Sequence, residues 1–401
     1  MNARVFFDMQ KSFKRFFGKA EHLVMSCYGG SSDISDAIDT KARRKIIPDS
    51  TYTRLNMGGW KESGLSGMER VEAYIGSARN MLNAKERTLA RGHESRRLTE
   101  FPYNNFIMMS KSTACEGEDE CEPLSAFYFP SIRTKAEAKI YQKTRDQILN
   151  DSQQRFPGDD SWVNTENGQV SLERVLIAYS TYPNSNSYMS AMAHIAGRLL
   201  SITYEASAAQ DSAENAIVCA NQVEMTAFSL LKIICCDFFN DHYQAGVEGL
   251  QISGLIIEDS MQKRLPAMSE HFRSIGATHV GFMITRNWFL PLFCTDFPPE
   301  TTCRILDIIM AEGADVIYAI AIAILRMNQD AVMSRKIKYH EIFEVLKKCT
   351  NGLNDIKAFV AIVDEEWIAL RQKLPRIRTR CLKKFHNREA KKDRDLFESM
   401  S

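Results

Sequence analysis

Apolar residues recur at intervals of three and four along most of this chain, with Lys, Glu, Asp, Ser and Asn between them. That period belongs to an α-helix with one face turned to a core. It predicts amphipathic helices over 66–83, 135–151, 171–181, 187–204, 213–239 and 299–328. Strict alternation is scarce. Val316 to Leu325 alternates Ile with Ala and so mimics the period of a strand. Its length, its alanine content and its helical neighbours favour a helix buried on all sides. The expected fold class is all-α, and no internal repeat stands out.

The two ends differ from the middle. Residues 1–58 hold Val5, Phe6, Phe7, Met9, Phe13, Phe16 and Phe17 near helical spacing, with Lys11, Lys14, Arg15 and Lys19 among them. We read this as a helix packed on the main domain, with a membrane surface or a partner groove as the alternative. Residues 27–58 are rich in Gly, Ser and Asp and read as a linker. The helical domain is placed at 59–345, and 346–401 is read as a C-terminal helix and basic tail. Helical pattern runs from Tyr339 to Leu374. After Pro375 come Arg376, Arg378, Arg380, Lys383, Lys384, Arg388, Lys391, Lys392 and Arg394, far outnumbering the acids. We read this stretch as a solvated, partly disordered tail, against the alternative of contact with anionic lipid.

Composition narrows the function classes. The 401 residues are 44% hydrophobic and 25% charged, as in ordinary globular proteins, and can bury one large core or two ordinary ones. A net charge of +1 gives no global attraction to nucleic acid, which is not an expected partner. No apolar run approaches the ~20 residues that span a bilayer. Ten cysteines are present, and Cys219, Cys235, Cys236, Cys294 and Cys303 lie in apolar helical patterns, where they act as small hydrophobes. The N-terminus is charged where a secretion signal would be apolar, so a reducing cytoplasmic location is expected. Cys115 and Cys121 flank an acidic loop with the wrong spacing for zinc. No metal and no cofactor are expected, and Gly29-Gly30-Ser31-Ser32 lacks the lysine of a phosphate loop. His194 falls on an apolar helix face and reads as a satisfied interior histidine.

One ordered set of motifs carries more. Ile148, Asp151 and Phe156-Pro157 are followed by the helix Val170 to Ser180, then by Tyr188-Met189-Ser190-Ala191-Met192. Upstream stand Gly64 to Arg70 and then Tyr74. Downstream stand Glu224 to Phe228, Leu265 to Phe272, Trp288 to Phe293, Pro298-Pro299-Glu300, Arg304 to Asp307, Glu312-Gly313 and Ala321 to Leu325. The set resembles the TBC domain, the helical module that accelerates GTP hydrolysis by Rab GTPases, over 64–327. The resemblance implies a TBC (Rab-GAP) helical fold of two helical halves. Arg70, Tyr74 and Trp288 then take packing roles, with Tyr74 where the family has tryptophan.

The family pattern reads I-x-x-D-x-x-R-T-F-P and Y-x-Q-G-M, and its arginine and glutamine act as two fingers beside the nucleotide. Here those catalytic positions read Gln154 and Ser190, and Arg155 follows directly as the candidate replacement. A one-residue shift on a helix turns a side chain by ~100°. The resemblance places Asp151, Arg155 and Tyr188 at the GTPase-binding surface, with Asp151 holding the finger loop. It implies a regulator of GTP-bound Rab-type GTPases in membrane traffic, cytoplasmic or peripheral to endomembranes. Such a protein activates a hydrolase and is not itself one. With both fingers substituted, the resemblance implies weak or absent activation, a pseudo-GAP. The alternatives are an active GTPase-activating protein using Arg155, and a helical scaffold that no longer meets a GTPase. The basic ends add a membrane surface as a further expected partner.

Overall fold

Several helices have a local reason to begin or end where they do. Thr165 accepts a bond from the Gly168 N–H and so opens the helix Glu166–Thr181. Asp355 does the same for Ile356–Leu370 through the Ala358 N–H. Proline stands in the first turn of both Pro266–Ser274 and Pro299–Glu312, where its missing N–H costs nothing. Gly313, at φ 93°, stops the last of these in a conformation that side-chain-bearing residues avoid.

A computed structural model describes residues 69–77, 135–156, 161–182, 186–210, 220–244, 246–277, 279–333, 341–351 and 355–400. Its elements are α1 (69–77), α2 (Lys135–Ser152), α3 (Glu166–Thr181), α4 (Ala191–Gln210) and α5 (Ala220–Lys232). There follow α6 (Glu248–Arg264), α7 (Pro266–Ser274), α8 (Val280–Ile284), α9 (Pro299–Glu312) and α10 (Ile317–Met327). The last are α11 (Ile342–Asn351), α12 (Ile356–Leu370) and α13 (Leu374–Met400). No strand occurs among the described residues, and the fold is all-α. Helices α2 to α5 pack on one another, and α6 packs against α7, α8, α10 and α13. A single apolar core runs from Val71 on α1 to Phe385 on α13. At its centre α10 is buried from Ile317 to Leu325, which explains its lack of a polar face.

Long-range polar ties cross this core. Arg70 Nε and Nη2 donate to Asp307 Oδ1 and Oδ2 at 2.7 and 3.1 Å, and Tyr74 Oη donates to Oδ1 at 2.9 Å. Burial alone would lower the Arg70 value, but the bond and charge of Asp307 outweigh it and hold it above the ordinary range. Glu366, 1% exposed, accepts from Arg264 and Arg326 and so ties α12 to α6 and α10. His242 shares a 2.9 Å bond with Ser253, which meets Tyr318 Oη at 3.0 Å. Burial pushes the His242 imidazole down from 6.5 to about 4, so it is neutral in the fold. The unfolded chain binds this proton first as pH falls. The contribution is therefore intact above pH 6.5 and is lost progressively down to pH 4. About 3 kcal/mol of stability should disappear across that window through this group. His242→Gln should flatten that part of an unfolding-free-energy profile measured against pH.

Several expected boundaries change. The predicted helix 299–328 is two helices, because Gly313 and the turn Ala314–Val316 divide it. The helix predicted from 187 begins at Ala191, after an extended segment. The helix predicted over 213–239 is described from Ala220 and becomes π-helical over Ile233–Phe238. Cys294 lies in a turn and not in a helix, though it is buried. The pattern from Tyr339 to Leu374 resolves into α11 and α12. The basic tail read as solvated and partly disordered is the helix α13, anchored on α6 by buried Leu374, Ile377, Cys381 and Phe385. These four recur every three or four residues, a stripe that the surrounding basic residues obscured. The N-terminal segment 1–58 and the loop holding Cys115 and Cys121 lie outside the described residues.

Candidate functional site

The end of α2 and the segment before α4 meet at Asp151. This carboxylate is 7% exposed. Tyr188 Oη donates to its Oδ2 at 2.7 Å, and Gln154 Nε2 donates to its Oδ1 at 3.3 Å. The Gln154 N–H also donates to the Asp151 carbonyl at 3.3 Å, which closes the turn after α2. Burial and the Asp151 bond and charge hold the Tyr188 phenol well above its ordinary value, so it is a donor at any ordinary pH. Asp151 thus faces inward and positions the turn. This agrees with the expectation that Asp151 holds the finger loop.

The next residues are clamped. Asn164 accepts from the Phe156 N–H at 2.9 Å and donates to the Phe156 carbonyl at 3.1 Å. The Phe156 ring is buried edge-on against His194 at 5.6 Å between centroids. It also lies on Gly197, where an added Cβ would sit 2.9 Å from the ring. The glycine lets α4 approach this closely. His194 was expected to be a satisfied interior histidine. Its buried Nδ1 has no hydrogen-bond partner among the described residues. Burial lowers its basicity, against the charges of Asp151 and Asp296.

Between these anchors the outward residues are Gln153, Gln154, Arg155 and Ser190, all exposed. Ser190 accepts a 2.9 Å bond from Gln147 Nε2 on α2, and its carbonyl accepts from the Ala193 N–H at the start of α4. Gln147 was not singled out from the sequence, because nothing local marks a glutamine that reaches 43 positions along the chain. On the opposite side, Asn186 donates to the Cys235 carbonyl at 3.0 Å and fixes the extended segment to the π-helical stretch. Arg70 and Tyr74 lie apart from this site, on Asp307. Trp288 is buried in a second π-helical segment, Thr285–Phe289, against Phe293 and Phe297. Leu292 and Phe293 follow it at φ 48° and 60°. This left-handed turn is held by the Phe293 N–H on the Trp288 carbonyl at 2.7 Å.

Among the described residues no group of three or more His, Cys, Asp or Glu could hold a metal ion. Among them, too, no helix is long and apolar enough to cross a membrane.

The Rab-GTPase-TBC domain model matches residues 116–333, more than half of the chain, and the chain belongs to that family. It is 25% identical over 229 residues to Growth hormone-regulated TBC protein 1 of Xenopus tropicalis, covering 56% of this chain and 60% of that protein. It is 28% identical over 231 residues to TBC1 domain family member whacked of Drosophila melanogaster, covering 56% and 54%. The match thus spans three fifths or less of these relatives' own lengths. The crystal structure of the Ypt/Rab-GAP domain of Gyp1p superposes with a TM-score of 0.53 at 14% identity. That alignment covers 84% of this chain and 98% of that one and bears on the fold alone. Helices α1, α11, α12 and α13 lie outside the matched stretch yet share its core.

Proposed function

We propose that this chain binds the switch regions of a GTP-loaded Rab-type GTPase through the surface around Gln154, Arg155, Tyr188 and Ser190, and accelerates hydrolysis weakly or not at all. One observation carries this reading. A neutral amide folded onto Asp151 stands at 154, the position the family fills with an arginine finger.

The transition state of phosphoryl transfer spreads negative charge over the phosphate oxygens, and a guanidinium there is worth ~10³–10⁵ in rate. Gln154 supplies no charge. Ser190 is too short to reach where a glutamine amide would orient water. This reading places the protein in the cytoplasm, meeting its GTPase at endomembranes as a regulator of vesicle traffic. Retention of GTP-loaded but not GDP-loaded Rabs on the immobilised chain tests it. Selective retention is expected, and a blank across a broad panel would favour a scaffold that meets no GTPase.

A second reading rests on the exposure of Arg155, one residue past the finger position. If Arg155 is a finger, Arg155→Ala abolishes stimulated hydrolysis. In our reading that change leaves the hydrolysis rate of the bound GTPase unaltered.

A further inference from the structure

Helix α13 presents two different faces. Leu374, Ile377, Cys381 and Phe385 form the buried one. Arg376, Arg380 and Lys383 lie on the opposite side at spacings of four and three, and all are exposed. Lys384 and Arg388, also exposed, lie on the side of the helix toward Glu258 of α6. The acids near this face are few. Arg380 is paired with Asp259, yet its side chain remains 57% exposed. Asp259 also takes Lys263. Glu258 lies near Lys384 and Arg388, and burial raises its pKa against their charges. Glu389 is the one acid on the helix up to position 390.

Beside the stripe, α6, α7 and α13 enclose a cleft of about 460 Å³. Its apolar lining includes Met261, Phe272 and Val280. Arg273, Arg380 and Lys384 line it too, alongside Glu258 and Asp259. Surface ion pairs such as Arg273–Glu270 are worth little and re-pair readily. The cleft can therefore turn its guanidinium and ammonium groups toward an incoming phosphate.

We propose that the outer face of α13, with this cleft at its side, is a docking surface for an anionic phospholipid bilayer. The argument is charge complementarity on a rigid support. Five exposed cations stand along one ordered helix whose apolar stripe, Leu374, Ile377, Cys381 and Phe385, is packed on the core, so the contact proposed is electrostatic and not insertion. A long helix packed on the core keeps these charges in register, as a disordered basic tail would not. The proposal rests on α13 and not on the GTPase reading.

The test is sedimentation of the full chain with phosphatidylcholine vesicles, with and without a minority of phosphatidylserine. Binding is expected only with phosphatidylserine, and should fall steeply as salt rises above about 0.15 M. Each basic residue near an anionic leaflet is worth about fivefold in partitioning. The combined variant Arg376→Gln, Lys383→Gln, Lys384→Gln and Arg388→Gln should therefore lose about a hundredfold or more. An equal change of charge elsewhere, at Lys139, Lys143, Arg145 and Lys348, should leave partitioning close to that of the unaltered chain. These side chains are exposed, and circular dichroism should show both variants folded. Failure of the unaltered chain to bind anionic vesicles at low salt overturns the proposal. So does unchanged binding by the α13 variant, which would assign lipid contact to another part of the chain.

Discussion

Changing Gln154 to arginine is expected to raise stimulated GTP hydrolysis by at least a hundredfold. The change restores a cation at the end of α2, where the fold presents position 154 to solvent. The full value of an arginine finger is ~10³–10⁵. The expected gain is smaller because a new guanidinium would also lie within reach of Asp151, whose Oδ1 already takes the Gln154 amide. Tyr188 competes for that carboxylate and keeps its other oxygen occupied. Adding Ser190→Gln should contribute a further ~10²-fold, the usual worth of one well-placed hydrogen-bonding group at a developing charge. It would also displace the Gln147 bond to Ser190, which costs little at an exposed position. Single-turnover hydrolysis with the double variant in saturating excess measures both. A change below threefold would mean that position 154 does not face the nucleotide.

The second large effect is on stability. Asp307→Ala should destabilise the fold by about 3–5 kcal/mol, the cost of stripping one partner from a buried ion pair. The Asp307 side chain is fully buried and serves both Arg70 and Tyr74. Its loss strands a guanidinium and a phenol against the core. Arg304, 4.0 Å from the same carboxylate, worsens the imbalance by leaving two arginines together. Because Asp307, together with the Met310 carbonyl that accepts from Ser77, ties α9 to α1, the damage should begin at α1. Limited proteolysis should cut ahead of residue 135 well before the core unfolds, and thermal melting should show a lower midpoint. Asp307→Asn should cost less, since the amide oxygen still accepts from Tyr74.

Much of this fold was legible because its helices are long and their apolar stripes regular. Lys135–Ser152 and α10 follow directly from spacing, and the Ile–Ala run of α10 from burial on every side. What escaped is non-local or hidden by charge. Gly313 is visible as a residue, but only its φ of 93° reveals that it divides one predicted helix into two. The non-helical stretch before Ala191 is tied at Asn186, which donates to the Cys235 carbonyl far along the chain. The four buried residues of α13 were outvoted by the basic ones around them. At the candidate site, motif order proposes the two finger positions, Gln154 and Ser190. It did not reveal that Gln154 folds onto Asp151, or that Gln147 reaches Ser190 across 43 positions. Long-range side-chain pairing leaves no periodic trace.

The most direct test is the rate of GTP hydrolysis by a Rab that this chain retains, with the unaltered chain in saturating excess. The account predicts a rate within about tenfold of the intrinsic one, because no guanidinium is aimed from position 154. An acceleration of a hundredfold or more, lost on Arg155→Ala, would contradict it.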